Sequence, residues 1–425
     1  MEEFKKICIL GIGYAGLHQA MAFAKFGPVM GFDVDAGRID ELQTGFDRYN
    51  QYTREELLSS PLLLTHDLAE IQVCNVYILH VPTPLKVGNQ PDLEHLKSAC
   101  RMLGSVLKSG DLVVIESTVY PGVTEQECLP LLEQTSGLVP DMDFSIGYSP
   151  QLPHQSDQGQ PRKRVLAAND EAALHQMEAV YAEVSPQGMV RASSIQVAEA
   201  AKLFENVQQD LHLALVNEFA MMLDRLGVSS YEALDLSQPG PGFAQFRPGF
   251  AGGYHLGIDP YYMAFEAERL GHHPQLFAAG RRINDELPRF LAKKAVRLCS
   301  AQGWPLYGLV ATVLGLSYQA GIADLRNGKC IDFVKELASF GMDLQLHDPA
   351  ASADEVSRQF GKRPVTLEQM KPTQLLVLAS DHAFYHTISP QDLLLRLQPK
   401  AVIIDLTHRL DLEWFKAKGF KTWSF

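Results

Sequence analysis

The chain is expected to be an α/β protein made of two Rossmann-like, doubly wound parallel-sheet domains joined by a central helical segment. Three observations lead there. Short β-branched runs alternate with helical patterns in the first half, the rhythm gives way to a long stretch free of Pro and Gly, and it restarts after Trp304. Alternation of this kind wraps helices around a parallel sheet, whose strands then read as continuous apolar runs.

In the first half, residues 7–10, 29–33, 76–81, 112–116 and 144–148 read as strands. Residues 195–225 carry apolar positions at helical spacing without interruption, which predicts an inter-domain helix long enough to serve as a dimer surface. Residues 309–316, 343–347, 375–379 and 402–405 read as buried parallel strands. The domains are therefore placed at 1–194, 195–302 and 303–425.

Composition narrows the function. The 425 residues are 46% hydrophobic and 20% charged, without low-complexity runs or solenoid repeats, as in a globular protein of two or three domains. A net charge of −13 and the lack of a Lys/Arg cluster argue against a nucleic-acid partner. No apolar run is long enough to span a bilayer, so a cytoplasmic protein without membrane insertion is expected. The six cysteines have no metal-ligand or disulfide spacing, so no metal is expected.

The strongest motif is ILGIGYAGLHQA, in which Gly11, Gly13 and Gly16 follow a strand and open a helix. The first glycine permits the tight turn, the second lets backbone approach a pyrophosphate, and the third lets helix and strand pack closely. Tyr14 and Ala15 begin a helix whose N-terminal N–H groups would meet the anion. The next strand runs into GFDVD, and a carboxylate at Asp33 can accept from a ribose diol while repelling a 2′-phosphate, which selects NAD over NADP. The second half has Gly315 in LGLSYQAGIADLRN but no such fingerprint, so it is expected to bind something other than a dinucleotide. Arg326 is a candidate diphosphate clamp there, because a guanidinium can pair two phosphate oxygens.

Seven further segments occur in order: VPTPL (81–85), ESTVYPG (116–122), GYSP (147–150), AEAAKLFEN (198–206), LALVNE (213–218), PGFAGGYHLGIDPYY (248–262) and DLRN (324–327). Together they resemble the UDP-glucose/GDP-mannose dehydrogenase family, most nearly its UDP-N-acetylhexosamine 6-dehydrogenase branch, to which DPYY and RRIND (281–285) are also similar. The resemblance implies an N-terminal NAD domain, a central dimerising helix and a C-terminal domain for the uridine diphosphate. It also implies oxidation of the sugar C6 alcohol to a carboxylate with two NAD, through a thioester on a cysteine, in the supply of bacterial-type surface polysaccharide precursors.

Carried over residue by residue, the resemblance makes Thr118 the positioner of a catalytic water and Lys202 the group that stabilises developing alkoxide. Asn206, four residues on and so on the same helical face, would hold the sugar or its oxyanion. Asp259 would order the water that acts as base in the first oxidation. NAD would be met by Gly11, Gly13, Tyr14, Ala15, Gly16, Asp33, Pro82, Thr83, Ser117 and Thr118. The UDP-sugar would be met by Gln151, Lys202, Asn206, Arg247, Phe250, Gly252, Gly253, Tyr318 and Arg326, in a homodimer formed through the central helix.

The chain departs from the family where acyl chemistry is done. The family's glycine loop reads GGHC ahead of the aspartate; here His255 stands in place of the nucleophilic cysteine. Gln151 replaces the glutamate after Ser-Pro, and a neutral amide cannot act as the base that hydrolyses a thioester. Gln319 stands where relatives carry a phosphate-side lysine, and Gln209 where they carry an arginine. Hydride-transfer parts are kept while acyl-transfer parts are lost. Three readings follow: a redox-neutral C5 or C4 epimerase in which His255 moves a proton, a 6-dehydrogenase that oxidises a hydrated aldehyde without a thioester, and a non-catalytic UDP-sugar-binding relative.

Overall fold

A computed structural model of the chain describes residues 6–150, 163–237, 246–253 and 256–425; Gln151 and His255, two of the predicted site residues, lie outside them. The chain divides into two compact units, Met1–Glu205 with Tyr261–His273, and Asn206–Pro260 with Pro274–Phe425. The residues of the expected central segment, 195–302, are thus shared between the two.

The first unit is built on strands β1 (Ile7–Leu10), β2 (Val29–Phe32), β3 (Leu62–Thr65), β4 (Val76–Leu79), β7 (Leu112–Ile115), β8 (Ser145–Tyr148), β9 (Arg164–Ala168) and β10 (Met189–Arg191). A small antiparallel hairpin, β5 (Leu85–Lys86) and β6 (Gln90–Pro91), stands outside the sheet. The sheet order is β10-β9-β8-β7-β4-β1-β2-β3. Neighbours are parallel except β8 and β9, which run antiparallel. Every residue of β4 (VYIL) and β7 (LVVI) is buried, because helices cover both faces of a parallel sheet. Leaving β1, the chain moves to β2 on one side and later to β4 on the other, so a ligand crevice opens outside the carboxyl ends of β1 and β4.

The second unit has a fully parallel sheet of β11 (Val310–Leu314), β12 (Asp343–His347), β13 (Thr373–Leu378), β14 (Leu397–Asp405) and β15 (Lys421–Ser424), in the order β12-β11-β13-β14-β15. Its core joins Val313 and Val377 of the sheet to Leu287 and Leu291 of the helix Gln275–Ala301 and to Phe333 and Leu337 of the helix Lys329–Ser339. The order reverses between β11 and β13, which marks the corresponding crevice in this unit. The predicted long helix is present as Ile195–Leu226. Among the described residues no helix is long and apolar enough to cross a membrane.

Candidate functional site

At the crevice of the first unit, Gly11 adopts φ +94°, and a Cβ there would lie 2.5 Å from the His80 carbonyl oxygen. A Cβ on Gly16 would lie 1.7 Å from the Gly11 carbonyl oxygen, so only glycine lets the helix Tyr14–Ala24 start against the loop. Gly13 differs from both: a Cβ there meets nothing within 4 Å, and as helix N-cap it leaves the first turn without a side-chain cap. Backbone N–H groups beside open space form a cradle suited to a pyrophosphate. Asp33, just past β2, accepts from the Ile12 N–H at 2.8 Å and the Asp35 N–H at 3.0 Å, which fixes a carboxylate beside that cradle. The nearby Arg38 is no 2′-phosphate receptor, being buried with Nε on the Ile12 carbonyl (2.9 Å) and Nη2 on Asp47 (2.8 Å). The residues therefore fit NAD.

The loops after β4 and β7 are tied together beside this cradle. Ser117 Oγ accepts from the Val81 N–H at 3.1 Å and donates to the Val81 carbonyl at 2.8 Å. Thr83 Oγ1 donates to the Thr118 carbonyl at 2.8 Å, and the Tyr262 hydroxyl donates to the Thr83 carbonyl at 3.0 Å. Pro82, Thr83, Ser117 and Thr118 are thus brought to one rim. Glu199, on the helix Ile195–Leu226, grips the far end of the same loop by accepting from the N–H groups of Gly122 (2.5 Å) and Thr124 (2.9 Å). Its burial raises the carboxyl pKa against the lowering effect of those bonds. Sequence reading passed over Glu199, although its place one turn before Lys202 marked a carboxylate on the same helical face.

That face continues with Lys202, Asn206 and Asp210, all buried. Asn206 Nδ2 donates to Asp259 Oδ2, so these two predicted residues meet. One turn on, Asp210 pairs with Arg281 at 2.6 Å and accepts from Asn284 at 2.8 Å, while Arg281 also donates to the Leu256 carbonyl at 2.8 Å. Arg281 and Asn284 belong to the RRIND segment, and their part in holding the chain just after the glycine loop was not legible from spacing.

The glycine loop itself rests on the start of the helix Lys329–Ser339. A Cβ on Gly252 would lie 2.8 Å from the Asn327 carbonyl oxygen, and the Gly253 N–H donates to that oxygen at 3.2 Å. Gly253 has φ +92°, and a Cβ there would lie 2.7 Å from the Tyr318 ring. Beside the loop a cavity is lined by Phe250, Gly252, Tyr318 and Lys329, with Ser317 and Ser380 from the ends of β11 and β13. Lys329 is bound by Asp285 and Asp332, each at 3.0 Å; burial works against its charge, but the two carboxylates outweigh it and the pKa rises.

The second unit repeats the turn of the first and then closes it. Gly315 has φ +85°, with Cβ space taken by the Ser380 backbone, as His80 takes that of Gly11. Asp348, after β12, holds the place Asp33 has after β2, accepting from the Leu316 and Ser317 N–H groups at 2.7 and 2.8 Å. Here His382 Nε2 lies 3.3 Å from a buried carboxylate, and although burial opposes it, this contact holds the acid far below the usual range. A carboxylate so enclosed cannot receive a ribose diol, in keeping with the expectation of a different ligand.

Two predicted cations are turned to acidic neighbours. Arg326 spends Nε (3.0 Å) and Nη2 (2.8 Å) on Asp324, so the edge expected to clamp a diphosphate already holds a carboxylate, and the residue precedes the helix start by three positions. Arg247 pairs with Asp235 and lies over the Tyr231 ring, 5.2 Å from its centroid. All six cysteines are buried. Cys330 borders the cavity, but burial pushes its thiol up and Sγ is directed to the Gly315 carbonyl at 3.5 Å.

Two Rossmann-like units, one with an NAD cradle and the other with a separate cavity beside a closed acid, define an NAD-dependent oxidoreductase with a second ligand-binding unit. The family description for the NAD-binding domain of the UDP-glucose/GDP-mannose dehydrogenase family matches residues 5–185, that for its central domain residues 196–286, and that for its UDP-binding domain residues 312–412. The chain belongs to the UDP-glucose/GDP-mannose dehydrogenase family. It is 37% identical to a UDP-N-acetyl-D-glucosamine 6-dehydrogenase of Pseudomonas aeruginosa, covering 96% of this chain and 97% of that one. It is also 37% identical to protein CapL of Staphylococcus aureus, covering 90% and 91%. A solved UDP-D-ManNAc dehydrogenase of Pyrococcus horikoshii superimposes with a TM-score of 0.83 at 28% identity, covering 99% and 98%.

Proposed function

We propose that the chain acts on a UDP-N-acetylhexosamine or its uronate by transient oxidation, and that turnover is redox-neutral epimerisation at C5 or C4. The observation that supports a reaction without a thioester is the state of the thiols. A thioester route needs an accessible thiolate, and all six cysteines are buried, with Cys8, Cys128, Cys299 and Cys330 raised above the ordinary thiol value. Cys74, lowered by its bond with Cys8, precedes β4 and so lies at the end of the sheet opposite the crevice.

NAD, when bound, supplies a hydride acceptor and afterwards returns the hydride. In this reading Lys202 offsets the charge on the oxygen whose C–H is being oxidised. Asn206 orients the Asp259 carboxylate, which takes the hydroxyl proton through an ordered water and returns it. With C4 at the ketone level the C5–H proton would be acidic; His255 would remove it and a proton would be delivered to the opposite face. Atoms and electrons balance with no net oxidant.

The 6-dehydrogenase names of the relatives favour net C6 oxidation, which in this chain would be the second reading, oxidation of a hydrated aldehyde without a thioester. Incubation with UDP-GlcNAc, UDP-GalNAc and their uronates, with NAD in deuterated water, separates the two. The expected result is a C5 epimer carrying deuterium at C5, or a C4 epimer, in either case with no lasting absorbance from NADH. Two NADH per uronate formed would overturn the proposal, and a chain that takes up no NAD would be a binder only.

We further infer a homodimer through the helix Ile195–Leu226. Leu215, Phe219, Met222 and Leu226 recur at spacings of four and three along it, and each is about half exposed or more, an apolar stripe that a second copy would cover. Phe219→Glu is expected to give a monomer in sedimentation at a protein concentration where the native chain is dimeric.

A further inference from the structure

The cavity of the second unit needs a cation if it is to take an anionic ligand. We propose that Lys329 is the cation that receives the phosphates of a nucleoside diphosphate in this cavity, a place that sequence reading assigned to Arg326. The inference rests on the reading that this unit takes a UDP-sugar. The cavity opens where the strand order reverses, between the carboxyl ends of β11 and β13, and Ser317 and Ser380 reach it from those two ends. Among the described residues that line it, Lys329 is the sole cation.

Lys329 is also the first residue of an eleven-residue helix, and its cap, Gly328, has no side chain with which to satisfy the first turn. The ammonium therefore stands at the positive end of a helix dipole, which favours an anion, and Asp285 and Asp332 offset its charge there while no ligand is bound. Asp285 and Asp332 use two of its three donors, which leaves one for a ligand oxygen. Asp285 is itself held by Arg281 at 2.5 Å, so the ammonium is tethered at the cavity rather than swinging in solvent. Phe250 and Tyr318 supply apolar walls for the rest of the ligand. Arg326 presents Nε and Nη2 to Asp324 and is not among the residues that line the cavity.

The test is calorimetric titration of the full chain with UDP and with uridine, for the native protein and for Lys329→Gln, Lys329→Arg and Arg326→Gln. Lys329→Gln is expected to raise the Kd for UDP at least tenfold while uridine affinity stays within twofold. Lys329→Arg should recover most of the loss, and Arg326→Gln should bind UDP as the native chain does. Unchanged UDP affinity in Lys329→Gln, a parallel fall for UDP and uridine, or the loss appearing in Arg326→Gln instead would overturn the proposal. A native chain that binds no UDP would remove the reading beneath it, so the two failures are distinguishable.

Discussion

Gly16→Ala is expected to abolish measurable NAD binding and to destabilise the first unit. The added methyl would sit 1.7 Å from the Gly11 carbonyl oxygen and 3.2 Å from His80 Cβ. The nearest obstacle is backbone, so no rotamer change relieves it, and the helix Tyr14–Ala24 must move away from the loop whose N–H groups it presents. Overpacking of this kind costs about 1–3 kcal/mol or more, and a displaced cradle should weaken NAD by roughly a hundredfold or more, since each 1.4 kcal/mol of lost interaction is tenfold. Gly13→Ala is the informative partner: its methyl meets no protein atom within 4 Å, so stability should hold while NAD affinity falls. Fluorescence titration with NADH alongside thermal melting reads both quantities. Native-like NADH affinity in Gly16→Ala would show that the cradle is not where the dinucleotide sits.

Glu116→Ala should cost about 3–5 kcal/mol, a large share of the 5–15 kcal/mol that usually separates folded from unfolded. Glu116 is fully enclosed, 2.7 Å from His80 Nε2 and 3.3 Å from Arg164 Nη1, and it accepts from the Tyr181 hydroxyl. Arg164 also donates to Ser149 at 3.2 Å and lies over the Tyr181 ring, 4.6 Å from its centroid. Removing the carboxylate strands the guanidinium in a dry interior. Burial by itself would raise the Glu116 pKa, but His80 and Arg164 outweigh it and the net shift is downward. A depressed folded-state pKa means that the contribution is complete above the unfolded value of about 4.3 and is lost as pH falls through the folded one. Urea unfolding of the native chain should therefore weaken in acid more steeply than that of Glu116→Ala. Equal slopes, or a loss under 1 kcal/mol at pH 7, would contradict the assignment. Because His80 precedes Val81 and Glu116 precedes Ser117, the variant should also loosen the rim that faces the cofactor.

Sequence and structure agree where the signal is local. The runs VYIL and LVVI are buried on both faces and were visible as strands, whereas β3 was not, because LLLT lies at the sheet edge and leaves Leu63 exposed. Strands β9 and β10 were also missed; Arg164 and Arg191 give them a charged reading that only their pairing explains. At the site, Asn206 and Asp259 were named and do meet. Glu199, Arg281 and Asn284 were not, because the partners that give them meaning lie some seventy residues away in the chain.

By itself the order of residues determined the two α/β halves, the long helix, the glycine turn for NAD and the acid that follows it, since each depends on periodicity or on backbone geometry within one or two elements. Only the folded chain decided which charged groups are already spent. Arg326 turns to Asp324 and Asp348 is shut in by His382, while Lys329 comes to line the cavity. Such choices are settled by competition among side chains brought together by the sheet, and the energy of a buried charge depends on every neighbour at once.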